Sequence, residues 1–283
     1  MNISVIIPAK DEAATIGNLV SRIRAGYPAA EILVIDDGSS DSTAETATAA
    51  GATVISHPRS LGNGAAIKTG ARNAQGDILV MLDADGQHDP ADIPRLLAPL
   101  DAGYDMAVAA RSAGSHANAA RLAANGLYNV FASLIAGHTI PDLTSGFRAV
   151  RARLFQSFLY LLPNGFSYPT TITMAFLRAG YPVEFVAIQA SARTGKSHIR
   201  PLRDGIRFLI IIFKVATLYA PLKVFIPTAA TFFSVGLIYY IYTYSTMGRF
   251  TNMSMLLFSA AVIIFLIGLI SEQITALNYK SQN

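Results

Sequence analysis

Acidic residues are scarce in this 283-residue chain, with Asp and Glu totalling 18, yet several sit side by side where apolar runs end. In "ILVMLDADGQHDP", Asp83 and Asp85 follow the run Ile78 to Leu82 with one small residue, Ala84, between them. In an extended segment two such side chains point the same way, so both could serve one site. Mg²⁺ or Mn²⁺ takes one or two protein carboxylates and completes its shell with substrate phosphates and water, and Gln87 could add a neutral oxygen. A second stretch, "ILVIDDGSSDST", runs into Asp36 and Asp37, whose carboxylates could accept hydrogen bonds from a base or ribose. Ser39, Ser40 and Asp41 suit caps for a following helix, and Asp89-Pro90 has the form of a helix start. For the Asp83 to Asp89 stretch the plain alternative is an acidic turn.

These residues need elements to hold them. Short aliphatic runs at Ile3 to Ile7, Ile32 to Ile35, Thr53 to Ile55, Ile78 to Leu82 and Met106 to Ala109 alternate with helical stretches. Unbroken apolar strands separated by helices predict an α/β domain with a mostly parallel sheet covered on both faces. Ligands of such sheets bind beyond the carboxyl ends of the strands, where Pro8 to Glu12, Asp36 to Asp41 and Asp83 to Asp89 all fall. "LGNGAAIKTGARNAQGD" fits neither a dinucleotide fingerprint nor a P-loop. It reads as a turn followed by an Ala-rich helix, from which Lys68 could still reach a phosphate.

The rest of the chain is of a different kind. Mean hydropathy is +0.40, and residues 224 to 248 and 250 to 271 form uncharged runs of 25 and 22 residues parted by Arg249. Each can span about 30 Å of hydrocarbon as a helix. Arg193, Lys196, Arg200, Arg203, Arg207, Lys214 and Lys223 crowd the segment before them, a pattern suited to an anionic lipid surface rather than to nucleic acid. Arg203 to Leu222 has the apolar spacing of a helix lying in the interface. With only Arg249 between the spans, the positive-inside rule puts both termini in the cytoplasm, and the N-terminus lacks the basic n-region of a signal peptide. The predicted layout is a catalytic domain over 1–200, an amphipathic juxtamembrane region over 201–222 and a two-helix anchor over 223–283, an arrangement that leaves room for a homo-oligomer. With no cysteine, any metal is held by oxygen or imidazole.

"VIIPAKDEAATI", "ILVIDDGSSDST", "GNGAAIKTGARNAQGDILVMLDADGQHDP", "DLTSGFRAVR" and "RTGKSHI", in this order and spacing, resemble the family 2 glycosyltransferases. The nearer likeness is to the polyprenyl-phosphate sugar synthase branch, dolichyl-phosphate mannose synthase-like and undecaprenyl-phosphate glycosyltransferases. The resemblance implies a GT-A fold and a divalent metal. It makes Pro8, Ala9, Glu12 and Asp37 nucleotide contacts, places Asp83 and Ala84 near base and ribose, and gives the metal to Asp85 and Gln87. Arg111, Arg121, Asn125 and Arg148 fall where the family engages the acceptor phosphate or diphosphate, and Arg193 and Lys196 match a loop that closes over the donor. Lys10-Asp11 replaces the commoner aromatic and Asn, and Asn125 stands in place of Ser.

Glycosyl transfer from a nucleoside diphosphate requires stabilising the charge on the departing diphosphate, which suits Mg²⁺ or Mn²⁺ with Arg and Lys. A prenyl phosphate nucleophile is already anionic and needs positioning more than a base. The expectation is therefore an inverting transfer of one hexose, from a UDP- or GDP-sugar to undecaprenyl phosphate or a similar lipid, at the cytoplasmic face of the inner membrane. Two other readings stay open. Transfer to a lipid hydroxyl would need a base, for which Asp142 is the best candidate, and a nucleotide-sugar-binding subunit would bind donor without turnover.

Overall fold

The computed structural model describes residues 2–111, 136–165, 167–189 and 216–280, with Gly126, Asn129, Val130, Ala132, Ser133 and Phe213. The chain divides into two compact units, one of Met1–Ser133 with His138–Arg200, the other of Leu134–Gly137 with Pro201–Asn283.

In the first unit the strands are β1 (Ile3–Ala9), β2 (Glu31–Asp36), β3 (Thr53–Ser56), β4 (Ile78–Met81), β5 (Met106–Arg111), β6 (Arg148–Arg151) and β7 (Val183–Ile188). The helices between them are α1 (Ala13–Gly26), α2 (Thr43–Ala49), α3 (Asn63–Asn73), α4 (Ile93–Asp101), α5 (Ala152–Ser157) and α6 (Tyr168–Arg178). All seven strands join one sheet in the order β3-β2-β1-β4-β6-β5-β7. β1 pairs in parallel with β2 and β4, β2 with β3, and β5 with β7, whereas β6 runs antiparallel between β4 and β5. The strands expected from the sequence are present, and β6 and β7 are additional.

Alternation along β1 divides the core. Val5 and Ile7 face a cluster that includes Ile32, Val34 and Val80 from the sheet and Ile16, Val20, Ile23, Ile93 and Leu96 from α1 and α4. Ile6 points the other way, against α3. A Cβ on Gly70 would stand 2.3 Å from the Ile6 side chain, so only glycine lets that helix approach so closely. Gln156 of α5 locks the same layer by donating to Ala71 O at 2.8 Å. Two covered faces explain why β1, β2 and β4 read as continuous apolar runs.

The chain leaves β1 for β2 on one side, and β4 lies on the other. The switch point, where crossovers part and a crevice opens, therefore lies between the carboxyl ends of β1 and β4.

The second unit contains α7 (Pro221–Met247) and α8 (Asn252–Lys280). Gly248 ends α7 at φ 63°, donating to Tyr244 O at 2.9 Å. The helices pack through glycine: Cβ atoms at Gly236 and Gly268 would lie 3.0 Å from Leu257 and 2.6 Å from Phe225. Each helix has a span long and apolar enough to cross a membrane, and only 11% and 17% of those windows are buried, unlike the core helix of a soluble protein. Most of the expected interfacial helix, including Arg203, Arg207 and Lys214, lies outside the described residues.

Candidate active site

The β1–α1 and β2–α2 loops are laced together at their strand ends. Pro8 and Ala9 close β1 opposite Ile35 and Asp36, both buried, and Ala9 O accepts from Asp37 N at 2.9 Å. Asp11 is the only described non-glycine residue in the left-handed region, at φ 54°. Its backbone N–H donates to Ser39 Oγ at 3.0 Å, and its Oδ1 accepts from Ser40 N at 2.7 Å. Glu12 N donates to Thr43 Oγ1 at 2.8 Å and Ala13 N to Asp41 Oδ2 at 3.2 Å. Asp41 also accepts from Thr43 N at 3.0 Å, so it serves the starts of both α1 and α2. These bonds hold the Asp41 carboxyl below its usual range, the Thr43 hydroxyl foremost.

Asp36 and Asp37 differ in their use. Asp36 accepts Ser39 N at 2.9 Å, a local turn. Asp37 receives His57 Nδ1 and Leu61 N on Oδ1, both at 2.8 Å, and Ser60 Oγ at 2.7 Å and Gly62 N at 2.9 Å on Oδ2. Burial would raise its pKa, but the His57 bond and the three others outweigh that and lower it. Four bonds fill the acceptor positions of a carboxylate, so Asp37 organises the turn before α3 instead of offering its side chain to a nucleotide as the resemblance implied.

That turn is closely seated. A Cβ on Gly62, at φ 103°, would stand 2.5 Å from Asn164 O, and one on Gly64 2.1 Å from Pro163 O. Lys68, one turn into α3, donates to Leu162 O at 3.1 Å and Asn164 Oδ1 at 2.5 Å. In this arrangement it fastens the Pro163–Gly165 loop rather than reaching a phosphate.

At the switch point stand Asp83, Ala84 and Asp85. Thr15 of α1 donates to Ala84 O at 2.8 Å, with Glu12 Oε2 3.2 Å away as an alternative acceptor, tying the acidic loop to the end of β1. Asp85 accepts Gln87 N at 3.1 Å across Gly86, whose φ of 72° makes the turn. Asp83 lies against Gly146, where a Cβ would come within 2.6 Å of its Oδ2. Desolvation first, and then the Asp85 charge, push the Asp83 carboxyl up to about 6. His88 is buried on Phe147, ring centroids 5.1 Å apart, and desolvation lowers its pKa. Asp89 caps the following turn as expected, accepting Ala91 N at 2.8 Å.

Among the described residues no three His, Cys, Asp or Glu side chains gather into a metal cluster. Asp83, Asp85 and Gln87 nonetheless fit a hard divalent cation of the kind that draws the rest of its shell from phosphates and water. The Asp83 carboxyl, raised by desolvation first and by the Asp85 charge second, is one whose ionised form such a cation would stabilise.

The basic residues separate. Arg111, at the end of β5, grips Asp142 through Nε at 2.7 Å and Nη2 at 3.1 Å, and reaches Thr144 Oγ1 at 2.7 Å. Its side chain is still 32% exposed, so it can meet a ligand. Burial pushes Asp142 up, but Arg111 and Thr144 bring it below its usual value, which makes it a weak base. Arg148 is wholly buried. Its Nη1 donates to Pro169 O at 3.2 Å and Thr173 Oγ1 at 3.1 Å, its Nη2 donates to Ser145 O, and its guanidinium carbon lies 5.8 Å from the Tyr168 ring centroid. A buried guanidinium cannot touch a lipid phosphate, so the acceptor contact implied for Arg148 does not hold in this arrangement. Arg121, Asn125, Arg193 and Lys196 lie outside the described residues. Sequence reasoning missed Thr15, His57, Asn63, Thr144 and Tyr168, small or neutral groups whose partners are mostly far away in the chain.

The glycosyl transferase family 2 model matches residues 4–159, and the GtrB C-terminal hairpin model matches residues 220–277. The glycosyltransferase AglJ of Haloferax volcanii is 31% identical over 248 residues, 84% of this chain and 80% of the relative. An undecaprenyl-phosphate 4-deoxy-4-formamido-L-arabinose transferase of Salmonella paratyphi A is 34% identical over 167 residues, 56% of this chain and 51% of the relative, so this match spans about half of that protein. A solved structure of glucosyl-3-phosphoglycerate synthase from Mycobacterium tuberculosis, with Mn²⁺, UDP and phosphoglyceric acid, superposes with a TM-score of 0.60 at 25% identity. That match covers 76% of this chain and 77% of the other. The same enzyme with Mg²⁺ and UDP gives 0.60 and 25%, covering 76% and 79%.

Proposed function

We propose, given that this chain belongs to glycosyl transferase family 2 and is a glycosyltransferase with a GT-A catalytic domain, that it transfers a single hexose from a UDP- or GDP-sugar to a polyprenyl phosphate. The observation that carries the reading is the pair of carboxylates Asp83 and Asp85 at the switch point, on the sheet that also carries the partly exposed Arg111 at the end of β5. Relatives named for transfer involving undecaprenyl phosphate, and a second match to a C-terminal hairpin, support the lipid acceptor.

Asp85 and Gln87 would hold Mg²⁺ or Mn²⁺, with Asp83 and Ala84 beside the nucleoside. When bound, the cation supplies neutralising charge for the departing diphosphate. Pro8, Ala9 and Glu12 border the nucleotide side of the crevice. Arg111, prealigned by Asp142, orients the acceptor phosphate, whose oxygen attacks the anomeric carbon with inversion while the nucleoside diphosphate leaves. Arg121, Asn125, Arg193 and Lys196 are further candidates for the phosphates. Because the nucleophile is already anionic, no strong base is required, in keeping with an Asp142 held in an ion pair. Crossing by α7 and α8 would anchor the enzyme in the cytoplasmic membrane, with both termini in the cytoplasm.

Purified protein in detergent would be given undecaprenyl phosphate, labelled UDP- and GDP-sugars and Mg²⁺ or Mn²⁺, with products followed by lipid extraction and mass spectrometry. A metal-dependent prenyl-phosphate hexose, lost in Asp85→Ala, is the expected result. Donor binding without transfer to the phosphate lipid would overturn the acceptor assignment.

A further inference from the structure

Among the described residues, five buried side-chain atoms have no hydrogen-bond partner from the protein: Asn63 Oδ1, His88 Nδ1, Ser145 Oγ, Arg148 Nε and Tyr168 OH. Native proteins leave few such groups, and each costs stability. Four of them, all but His88, belong to residues linked around Asp83 and Arg148. Asn63 extends its amide nitrogen to Asp83 Oδ1 at 3.5 Å. Ser145 precedes the glycine that lies against Asp83, and its carbonyl accepts from Arg148. Tyr168 faces the Arg148 guanidinium at 5.8 Å and is only 2% exposed. The charge of Asp83 reaches both Arg148 and Tyr168.

The packing leaves two hydroxyls and a guanidinium N–H of this neighbourhood without a protein partner. We propose that Tyr168 is a positioning residue whose hydroxyl finds its partner only when donor is loaded. It then bonds to Asp83, directly or through one ordered water, with Ser145 and Arg148 Nε completing the same network. Tyr168 touches no substrate; it fixes the carboxylate that borders the nucleoside, and the stability forgone in the empty protein preorganises the loaded one.

The inference rests on the reading of the acidic loop as the donor site and is independent of the acceptor. Its test uses full-length Tyr168→Phe and Ser145→Ala, each removing one unpartnered hydroxyl, with thermal melting in detergent and donor kinetics. Melting temperatures without ligand should be unchanged or higher. The thermal shift produced by Mn²⁺ with the UDP- or GDP-sugar that wild type accepts should shrink, and the donor KM should rise about tenfold, as for loss of a hydrogen bond to a charged group, with kcat changed less. Melting lowered by several degrees with an unaltered donor KM would show the hydroxyls to be ordinary packing and overturn the proposal, as would variants indistinguishable from wild type. A wild-type protein that shifts with no nucleotide sugar would remove the donor-site reading, and the inference would fall with it.

Discussion

Asp83→Asn should make the ligand-free protein more stable at neutral pH. Raising a carboxyl from 3.8 to about 6 on folding costs up to about 3 kcal/mol once the group is ionised, at about 1.4 kcal/mol per pH unit. The sign follows from the direction of the shift. Below 3.8 Asp83 is protonated in both folded and unfolded chains and contributes nothing. As pH rises toward about 6 the unfolded chain loses its proton first, so stability falls, and above about 6 the full cost remains. Asparagine is nearly isosteric beside Gly146 and carries no charge. Melting of wild type and Asp83→Asn in detergent and EDTA, from pH 3 to 8, should give curves that nearly coincide at the acid end and diverge by several degrees at pH 7.5. Taking the difference between the two proteins cancels the opposite trend from Asp37 and Asp142, whose lowered pKa values favour folding as pH rises. Parallel curves would refute the claim that Asp83 carries uncompensated charge, and with it the main electrostatic reason for a cation at this loop.

Gly64→Ala would drive a Cβ to 2.1 Å from Pro163 O and 2.8 Å from Gly165 O, both backbone, and should cost about 3 kcal/mol or more, read as a lower melting temperature. Asp41→Ala removes the carboxylate that joins the starts of α1 and α2 and should raise donor KM by about threefold to tenfold, with a smaller change in kcat, in steady-state assays. Asp142→Asn should leave the acid limb of the rate profile where it is in wild type, because Asp142 is ionised well below neutrality in its pair with Arg111. A limb that disappeared in that variant would favour a base-dependent hydroxyl acceptor.

Where the sequence was legible, geometry had left a one-dimensional trace. β1, β2 and β4 are covered on both faces and are mostly aliphatic, and the carboxylates at and after their ends stood out against that background. β6 left no such trace, because Arg148-Ala149-Val150-Arg151 opens and closes on arginine. It can be a central strand only because Arg148 finds acceptors in Pro169, Thr173 and Ser145, partners distributed over α6 and a loop. β7 is an edge strand and only half-buried, so its apolar pattern is interrupted by Glu184. The paired acids at 36 and 37 looked equivalent in the sequence, yet one closes a turn three residues away while the other is filled by groups 20 to 25 residues on. Which side chain faces a ligand depends on such distant partners, and local spacing does not encode them.

The lacing of the first two loops also bears on how a diphosphate is held. In dinucleotide-binding sheets the diphosphate rests on the N-terminus of the first helix, whose free N–H groups and dipole attract it. In this protein the chain entering α1 is tied to the second loop: Asp11 N donates to Ser39, Glu12 N to Thr43, and Ala13 N, the first of the helix, to Asp41. Asp41 moreover sets a carboxylate where the anion would lie, so a diphosphate there would meet repulsion. The same crevice carries Asp83 and Asp85 on its other side, and Asp83 is driven toward protonation by desolvation first and by the Asp85 charge second. Among the described residues the carboxylates of both loops would repel an anionic donor, and a cation entering with it would offset that repulsion. The laced loops and the clustered carboxylates favour the function proposed above, in which a divalent cation and basic side chains, rather than the α1 backbone, would hold the diphosphate.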